Sequence, residues 1–152
     1  MRRRPEDATA LNNQGLSLTD AGDYDKAEPL LRRALAIDEK ALGPNHPKLA
    51  VDLNNLGLLL NFKGNYAGAE PLYRRSLTID EKALGPDHPK LAIDLNNLGR
   101  LLMTKGDYAG AEPLYRRALA IDEKALGSNH PTTRTIRENL EQLRERSKDP
   151  TR

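Results

Sequence analysis

The segment LNNLGLLLNFKGNYAGAEPLYRRSLTIDEKALGPDHP, from Leu53 to Pro89, sets the architecture because it recurs almost unchanged 42 residues further along. Residues 43–84 and residues 85–126 differ at only eight of 42 aligned positions. A weaker copy comes first, since the chain reads LNNQG from Leu11. Repetition at a fixed period of this length predicts a stacked array of units, each of which buries its apolar face against its neighbours.

Each unit is predicted to form two helices, A and B. Helix A of the second unit begins at His46-Pro47, since a proline in the first turn costs no hydrogen bond, and it ends at Gly64. Helix B follows the predicted cap Asn65 and continues to about Leu84, where Gly-Pro interrupts it. The caps at the same position of the other units are Asp23 and Asp107.

A last helix is predicted to begin at Pro131. It is predominantly polar and keeps Leu140 and Leu143 in register with Leu98 and Leu101, which is typical of a capping helix at the end of a repeat array. The predicted organisation is one domain of residues 1–152, with repeats at about 5–42, 43–84 and 85–126 and a capping helix at about 131–147.

The pattern LNNLGxLLxxxGxYAxAEPLYRRxLxIDEKALGPxHP resembles the tetratricopeptide repeat, in the 42-residue form found in kinesin light chains. The period alone would also admit HEAT-type repeats, but the small-residue and glycine positions favour the tetratricopeptide repeat. The resemblance implies an all-α, right-handed solenoid of three helix pairs plus a C-terminal capping helix. The family positions map onto Leu53, Leu56, Gly57, Leu60, Gly64, Tyr66, Ala69, Tyr73 and Ser76, with Ala34 and Ala118 in place of Ser76 in the other units.

Helix A carries two stripes. The first has helical apolar spacing and is predicted to be buried; in the second unit it consists of Ala50, Leu53, Leu56, Gly57 and Leu60. The second stripe lines the concave groove that the resemblance implies. Four of the eight differences between the second and third units fall on it, as expected of a surface free to acquire a ligand or merely free to drift. The predicted groove residues are Asn12, Val51, Asn54, Leu58, Asn61, Phe62, Ile93, Asn96, Arg100 and Met103.

The asparagines suggest what the groove could bind. Asn12, Asn54 and Asn96 form a ladder, and each carboxamide offers a donor and an acceptor that match the backbone of an extended peptide. The alternative is that asparagines only fix repeat stacking, which is the predicted role of Asn13, Asn55 and Asn97. The predicted function is therefore a protein-interaction module whose partner is a protein or peptide. Family members that clamp a terminal carboxylate use several groove cations, whereas Arg100 is the only one predicted here.

Composition and charge argue against several other classes of protein. Hydrophobic residues make up 38% of the chain and charged residues 30%, and there is no cysteine to form a disulfide or a thiolate metal site. The formal charge is +2, and basic residues lie beside acidic ones, as in RRALAIDEK, which predicts a solvated helix face rather than a nucleic-acid patch.

No apolar run approaches the ~18–20 residues of a membrane span, and the start, MRRRP, lacks the apolar stretch of a signal peptide. A cytoplasmic protein without nucleic-acid or membrane partners is expected.

Signals that resemble catalytic or metal chemistry have structural interpretations. His46, His88 and His130 recur at one loop position, and packed helices lie ~8–10 Å apart, too far for shared zinc ligands. We expect them to form structural turns. The IDEK clusters (Asp38, Glu39, Lys40 and their equivalents) are expected to be solvated. The serines and histidines share no triad motif, so neither an enzyme nor a cofactor is predicted.

A different class of function is self-assembly through the end surfaces, because near-identical units could stack between molecules. Polar residues at the predicted first end, Gln14, Ser17 and Thr19, and the charged segment RENLEQLRERSK near the other end oppose this. The sequence therefore favours a monomer or a weak homodimer over a filament.

Overall fold

The structure, a computed structural model, describes residues 7–149 and 151, which form helices and no strand. The helices are α1 (Ala8–Asp20), α2 (Tyr24–Leu42), α3 (Pro47–Phe62), α4 (Tyr66–Leu84), α5 (Pro89–Thr104), α6 (Tyr108–Leu126) and α7 (Pro131–Lys148). They correspond to the three predicted helix pairs and the predicted capping helix. Residues 1–6, 150 and 152 of the predicted domain, including the start of the first repeat, lie outside the described residues.

The chain divides into two compact units, Met1–Ile79 and Asp80–Arg152. Unit 1 contains α1, α2, α3 and most of α4. Unit 2 contains the last residues of α4 together with α5, α6 and α7. The single domain of residues 1–152 stays a prediction.

Histidine side chains begin three of the helices. The Nδ1 atom of His46 accepts a hydrogen bond from the backbone N–H of Lys48 at 3.1 Å, and a proline follows in the first turn of α3. His88 and His130 cap α5 and α7 in the same way. The cap satisfies a backbone donor that has no partner within the helix. The histidines thus have the structural role predicted for them.

The predicted caps of the B helices form only where a glycine follows three residues later. Asn65 Oδ1 accepts a hydrogen bond from the N–H of Gly68 at 3.0 Å, and Asp107 caps α6 in the same way. A Cβ atom at Gly68 would lie 2.7 Å from Asn65 Nδ2, so a larger residue there would collide with the cap. The prediction was wrong for Asp23, which makes no cap hydrogen bond and instead pairs with Lys26, at 3.5 Å.

The core of unit 1 is built on the predicted stripe of α3. Leu49, Ala50 and Leu53 are buried and pack with Ile79 of α4. Gly57 is required by a close approach, since a Cβ atom at this position would lie 2.9 Å from the ring of Tyr73. The five residues predicted to be buried in α3 are all buried: Ala50, Leu53, Leu56, Gly57 and Leu60.

The core of unit 2 repeats this arrangement. Gly99 of α5 faces the ring of the buried Tyr115 of α6, 3.0 Å from where its Cβ atom would lie. The capping helix α7 contributes Ile136, Leu140 and Leu143, which are buried. Leu140 and Leu143 therefore belong to the packing of unit 2, as their register with α5 predicts.

One residue of the predicted polar end faces inward. Thr19 is buried, and its hydroxyl donates a hydrogen bond to the carbonyl oxygen of Gly15 at 2.8 Å. This bond to the preceding helical turn satisfies the hydroxyl, so the side chain can be buried at low cost. Gln14 and Ser17 are exposed as predicted, so only Thr19 corrects the expectation of a water-facing end. None of the helices within the described residues is long and apolar enough to cross a membrane.

Candidate functional site

The predicted groove residues of unit 1 include exposed apolar side chains. Val51 of α3 is 45% exposed and Phe62, at the end of the same helix, is 52% exposed. The Phe62 ring stacks on Tyr24 of α2, with the ring centroids 5.9 Å apart. The other predicted residues of α3, which are Asn54, Leu58 and Asn61, are partly exposed.

In unit 2 the predicted residues lie on α5. Ile93 is 54% exposed, which makes it the unit 2 counterpart of Val51. Arg100 is exposed, whereas Asn96 and Met103 are partly buried. Large apolar side chains are thus exposed at the same repeat position in both units.

Asn12 is placed differently from the prediction. It is only 8% exposed, and its Nδ2 atom donates to Asp52 Oδ1 while its Oδ1 atom accepts a hydrogen bond from Asn55 at 3.1 Å. Both ends of the carboxamide are thus used inside unit 1, where they connect α1 to α3. Asn12 therefore has the structural role that the sequence predicts for Asn55, and the two side chains bond to each other.

Asn96 makes one of the two hydrogen bonds that Asn12 makes. Its Oδ1 atom accepts a hydrogen bond from Asn139 of α7 at 3.0 Å, as Asn12 does from Asn55. The position equivalent to Asp52, however, is Ile136, which has no acceptor for the Asn96 amide. Within the described residues, the Nδ2 group of Asn96 therefore lacks the carboxylate acceptor that Asn12 has in Asp52.

Two carboxyl groups meet inside unit 1. Asp38 of α2 and Asp52 of α3 are both buried, and the Oδ2 atom of neither meets a hydrogen-bond donor in the described part of the chain. Burial, and then the hydrogen bond and negative charge of Asp38, raise the pKa of Asp52 to about 7, although Lys48 and Asn12 oppose this. Lys48 Nζ lies 3.2 Å from Asp38 Oδ1. The raised pKa means that Asp52 holds its proton up to about pH 7, beside the Asp38–Lys48 ion pair.

The IDEK clusters are not solvated as a whole, which corrects the sequence-based expectation. Asp38, Asp80 and Asp122 are buried. Glu39 pairs with Arg75 of α4 at 2.8 Å. Lys40 is exposed, so only this member of the first cluster is in the expected environment. The acids are covered because the end of each B helix packs against other elements, which periodicity within one helix does not show.

Open pockets lie beside the predicted residues in each unit. The pocket of unit 1 has a volume of about 230 Å³ and is lined by Thr9, Asn12, Asn13, Leu16, Lys48, Val51, Asp52 and Asn55. The pocket of unit 2 has a volume of about 200 Å³ and is lined by Arg100, Met103, Thr104, Tyr115, Asn139, Gln142 and Arg146. The second pocket brings Arg100 and Met103 together.

Sequence reasoning missed the contribution of α7 to this pocket. Asn139, Gln142 and Arg146 follow Asn97, Arg100 and Thr104 by one 42-residue period. The period, continued into the capping helix, would have found them. Among the described residues, no group of acidic or histidine side chains is arranged to hold a metal ion.

Tyr115 forms one wall of the unit 2 pocket. Its hydroxyl lies 3.9 Å from Met103 Sδ. Burial raises the pKa of Tyr115 to about 12, while the positive charges of Arg100 and Arg146 act in the opposite direction. The phenol is therefore protonated at neutral pH, and both arginines lie close enough to influence it.

Comparisons with known proteins agree with this geometry. The sequence profile of the tetratricopeptide repeat family matches residues 6–82, 53–124 and 95–152. No curated protein sequence matches the chain significantly. The helical repeats within the described residues and the family match together confirm the all-α fold predicted from the sequence.

The solved structures with the same fold include a kinesin-light-chain-like protein and the protein BtubC (BKLC). A kinesin-light-chain-like protein of Podosopora anserina with nearly identical TPR-like repeats is 23% identical, with a TM-score of 0.85 over 92% of this chain and 66% of that one. BtubC (BKLC) from P. vanneervenii is 26% identical, with a TM-score of 0.83 over 97% of this chain and 61% of that one. The chain thus spans less than two thirds of the length of these proteins.

A third structure contains a bound peptide. It is the type III secretion chaperone SycD of Yersinia enterocolitica, in complex with a peptide of the translocator YopD. It is 17% identical to this chain, with a TM-score of 0.68 over 91% of this chain and 93% of that one.

Proposed function

Because the chain belongs to the tetratricopeptide repeat family, we propose that it is a non-catalytic interaction module that binds an extended peptide segment of a protein partner. The observation that carries this proposal is the exposure of Val51 and Phe62 on α3 and of Ile93 on α5. Exposed apolar side chains at matching repeat positions offer binding energy that a folded monomer does not use. The peptide complex of SycD supports the proposal by showing one protein of this fold with a peptide ligand.

The apolar and the polar residues of the proposed surface make different contacts with the peptide. Apolar side chains receive side chains of the peptide, and the free amide group of Asn96 donates to a backbone carbonyl oxygen. Asn12 is left out of direct contact because its carboxamide is used within unit 1. The proposed contact residues are Val51, Asn54, Leu58, Asn61 and Phe62 in unit 1, and Ile93, Asn96, Arg100 and Met103 in unit 2.

The proposal is tested with the whole chain and an array of dodecapeptides of random sequence. Val51→Glu and Ile93→Glu are each expected to weaken the binding of captured peptides roughly tenfold or more, because a charge replaces an apolar contact. Leu42→Glu is the matched control, since Leu42 is also exposed, at 40%, but lies at the end of α2, outside the proposed surface. If no peptide is captured, or if all three glutamates act alike, the proposed function is wrong.

The role of Asn96 is tested separately. Asn96→Ala is expected to weaken peptide binding by about 0.5–1.5 kcal/mol, because it removes a hydrogen bond to the ligand. Asn139→Ala is the control, since it removes the bond between Asn139 and Asn96 and leaves the Asn96 amide in place. Fluorescence titration with a captured peptide measures both. Equal losses of affinity would show that Asn96 only supports the packing of α5 and α7.

We also propose that the protein acts in the cytoplasm as a monomer or weak homodimer, without a nucleic-acid partner. The absence of cysteine and the interspersed charges support this assignment. Light scattering over a concentration series tests the oligomeric state. A mass that continues to rise with concentration would favour the self-assembling alternative.

A further inference from the structure

One wall of the unit 1 pocket is a buried carboxyl group. Asp52 lines this pocket although the residue is only 1% exposed. Its Oδ1 atom accepts a hydrogen bond from Asn12, whereas its Oδ2 atom meets no donor in the described part of the chain. Burial of a carboxyl oxygen without a donor costs free energy, because no hydrogen bond offsets the loss of water. The pocket thus has an acceptor that a ligand with a suitable donor would satisfy.

The other walls of the pocket suit an aliphatic chain. Leu16 of α1 and Val51 of α3 provide apolar surface, and Val51 is 45% exposed. The volume of about 230 Å³ is below the ~300–1,000 Å³ of pockets that hold drug-sized ligands, so it suits a single side chain. A lysine side chain places its methylene groups along apolar surface and its charged end on a polar group.

The charges around Asp52 favour a cation. The charged groups that influence Asp52 are Asp38 of α2 and Lys48 of α3, and α1 contributes the uncharged Asn12. Lys48 Nζ lies 3.2 Å from Asp38 Oδ1, so the resident cation already has a partner. When Asp52 is ionised, two carboxylates therefore face one ammonium group, and a second cation would balance the remaining negative charge.

The unit 2 pocket lacks such an acid. Ile136, which is buried, stands 84 residues after Asp52, at the same repeat position. No acidic side chain lines the unit 2 pocket. Of the two pockets beside the predicted groove residues, only that of unit 1 therefore offers a carboxylate to a ligand.

We propose that the unit 1 pocket is a subsite for a lysine side chain of the bound peptide, and this rests on the proposed function above. The methylene groups of the lysine lie against Leu16 and Val51, and its ammonium group donates to Asp52. Such a bond between two charged groups is stronger than a bond between neutral ones. An N-terminal ammonium group has no aliphatic stem, so the lysine side chain is the source that fits both the walls and the acid.

The test uses the whole chain and the dodecapeptide array, with every peptide acetylated at its N-terminus. Captured peptides that contain lysine are made again with each lysine in turn replaced by norleucine, which keeps the methylene groups and lacks the ammonium group. At pH 8, one such replacement is expected to weaken binding roughly tenfold, because it removes a hydrogen bond between charged groups.

Asp52→Asn is expected to abolish the preference for lysine over norleucine, because asparagine keeps the shape of the acid and removes its charge. Asp20→Asn is the control, since Asp20 is an exposed acid of α1 that does not line the pocket, and the preference should persist in this variant. Fluorescence titration with the lysine and norleucine forms of one peptide measures the preference. The ratio of the two affinities is unaffected by a change that weakens all binding equally.

The pH dependence of binding by the wild-type protein is a second measurement. Burial and the neighbouring Asp38 raise the pKa of Asp52 to about 7, and a bound ammonium group favours the ionised acid, so that binding releases a proton. Lysine keeps its own charge at both pH 6 and pH 8. The affinity for the lysine peptide should therefore fall severalfold from pH 8 to pH 6, while that for the norleucine peptide changes little. Asp52→Asn should remove this difference.

The outcomes separate the two proposals. Captured peptides that are weakened by Ile93→Glu but contain no lysine, or bind equally well with norleucine, would overturn the subsite and leave the proposed function standing. An array that captures no peptide would remove both. A preference for lysine that survives Asp52→Asn, or that Asp20→Asn abolishes equally, would show that the ammonium group does not bind at Asp52 and would also overturn the subsite.

Discussion

Replacing Asp52 with asparagine is expected to raise the free energy of unfolding at pH 8 by up to about 4 kcal/mol, since each unit by which burial raises a pKa corresponds to about 1.4 kcal/mol. Asparagine resembles the protonated acid in shape but carries no charge. Its oxygen can still accept the hydrogen bond from Asn12, and its amide group can donate to Asp38. The substitution therefore removes a buried charge without leaving a polar group unpaired.

The pH dependence follows from the direction of the shift. Folded Asp52 keeps its proton up to about pH 7, whereas an aspartate in the unfolded chain releases it near pH 4. The stabilisation from protonated Asp52 is thus complete below about pH 4 and is lost as the pH rises towards 7, by about 1.4 kcal/mol per pH unit for each proton taken up on folding. The wild-type protein should be more stable at pH 5 than at pH 8 on account of this group.

Urea denaturation at pH 5 and pH 8 measures this effect. Asp52→Asn should reduce the difference between the two pH values without abolishing it, because burial also raises the pKa of Asp122. Asp20→Asn, at an exposed position of α1, is the control and should change neither value appreciably. If Asp52→Asn lowers stability at pH 8 and keeps the wild-type pH dependence, the pKa of Asp52 is not raised in the folded protein.

Replacing Leu53 with alanine is expected to lower the free energy of unfolding by about 2–5 kcal/mol. Leu53 is fully buried and packs with Leu49, Ala50 and Ile79 in the core of unit 1. Alanine would leave a cavity, because the surrounding helices can collapse only partly around the missing atoms. The loss should appear in thermal or urea unfolding followed by circular dichroism.

Val51→Ala provides the comparison, because this residue lies on the same helix and is 45% exposed. It should cost less than about 1 kcal/mol, as surface substitutions usually do. Similar losses for the two variants would contradict the assignment of the two stripes of α3.

The repeat, the helix bounds and the buried stripes could all be predicted from the sequence. Proline after histidine begins α3, α5 and α7, and glycine ends the helices, because these signals act through backbone geometry within one turn. Helical spacing placed Leu53 in the core for the same reason, since residues three and four apart share a face. Even the failure of the cap at Asp23 has a local cause, because Lys26 stands where the other units have glycine.

The roles of the polar residues depended on tertiary structure. Asn12 was predicted to face a ligand, but it bonds with Asp52 and Asn55, which are 40 and 43 residues away. The burial of Asp38 and the convergence of Arg146 with Arg100 depend equally on helices that are distant in sequence. Apolar periodicity predicts a buried face because burial of apolar surface is non-directional. The role of a polar side chain, by contrast, depends on which partner the packing of the helices brings within hydrogen-bonding distance. The periodicity of one helix does not identify that partner.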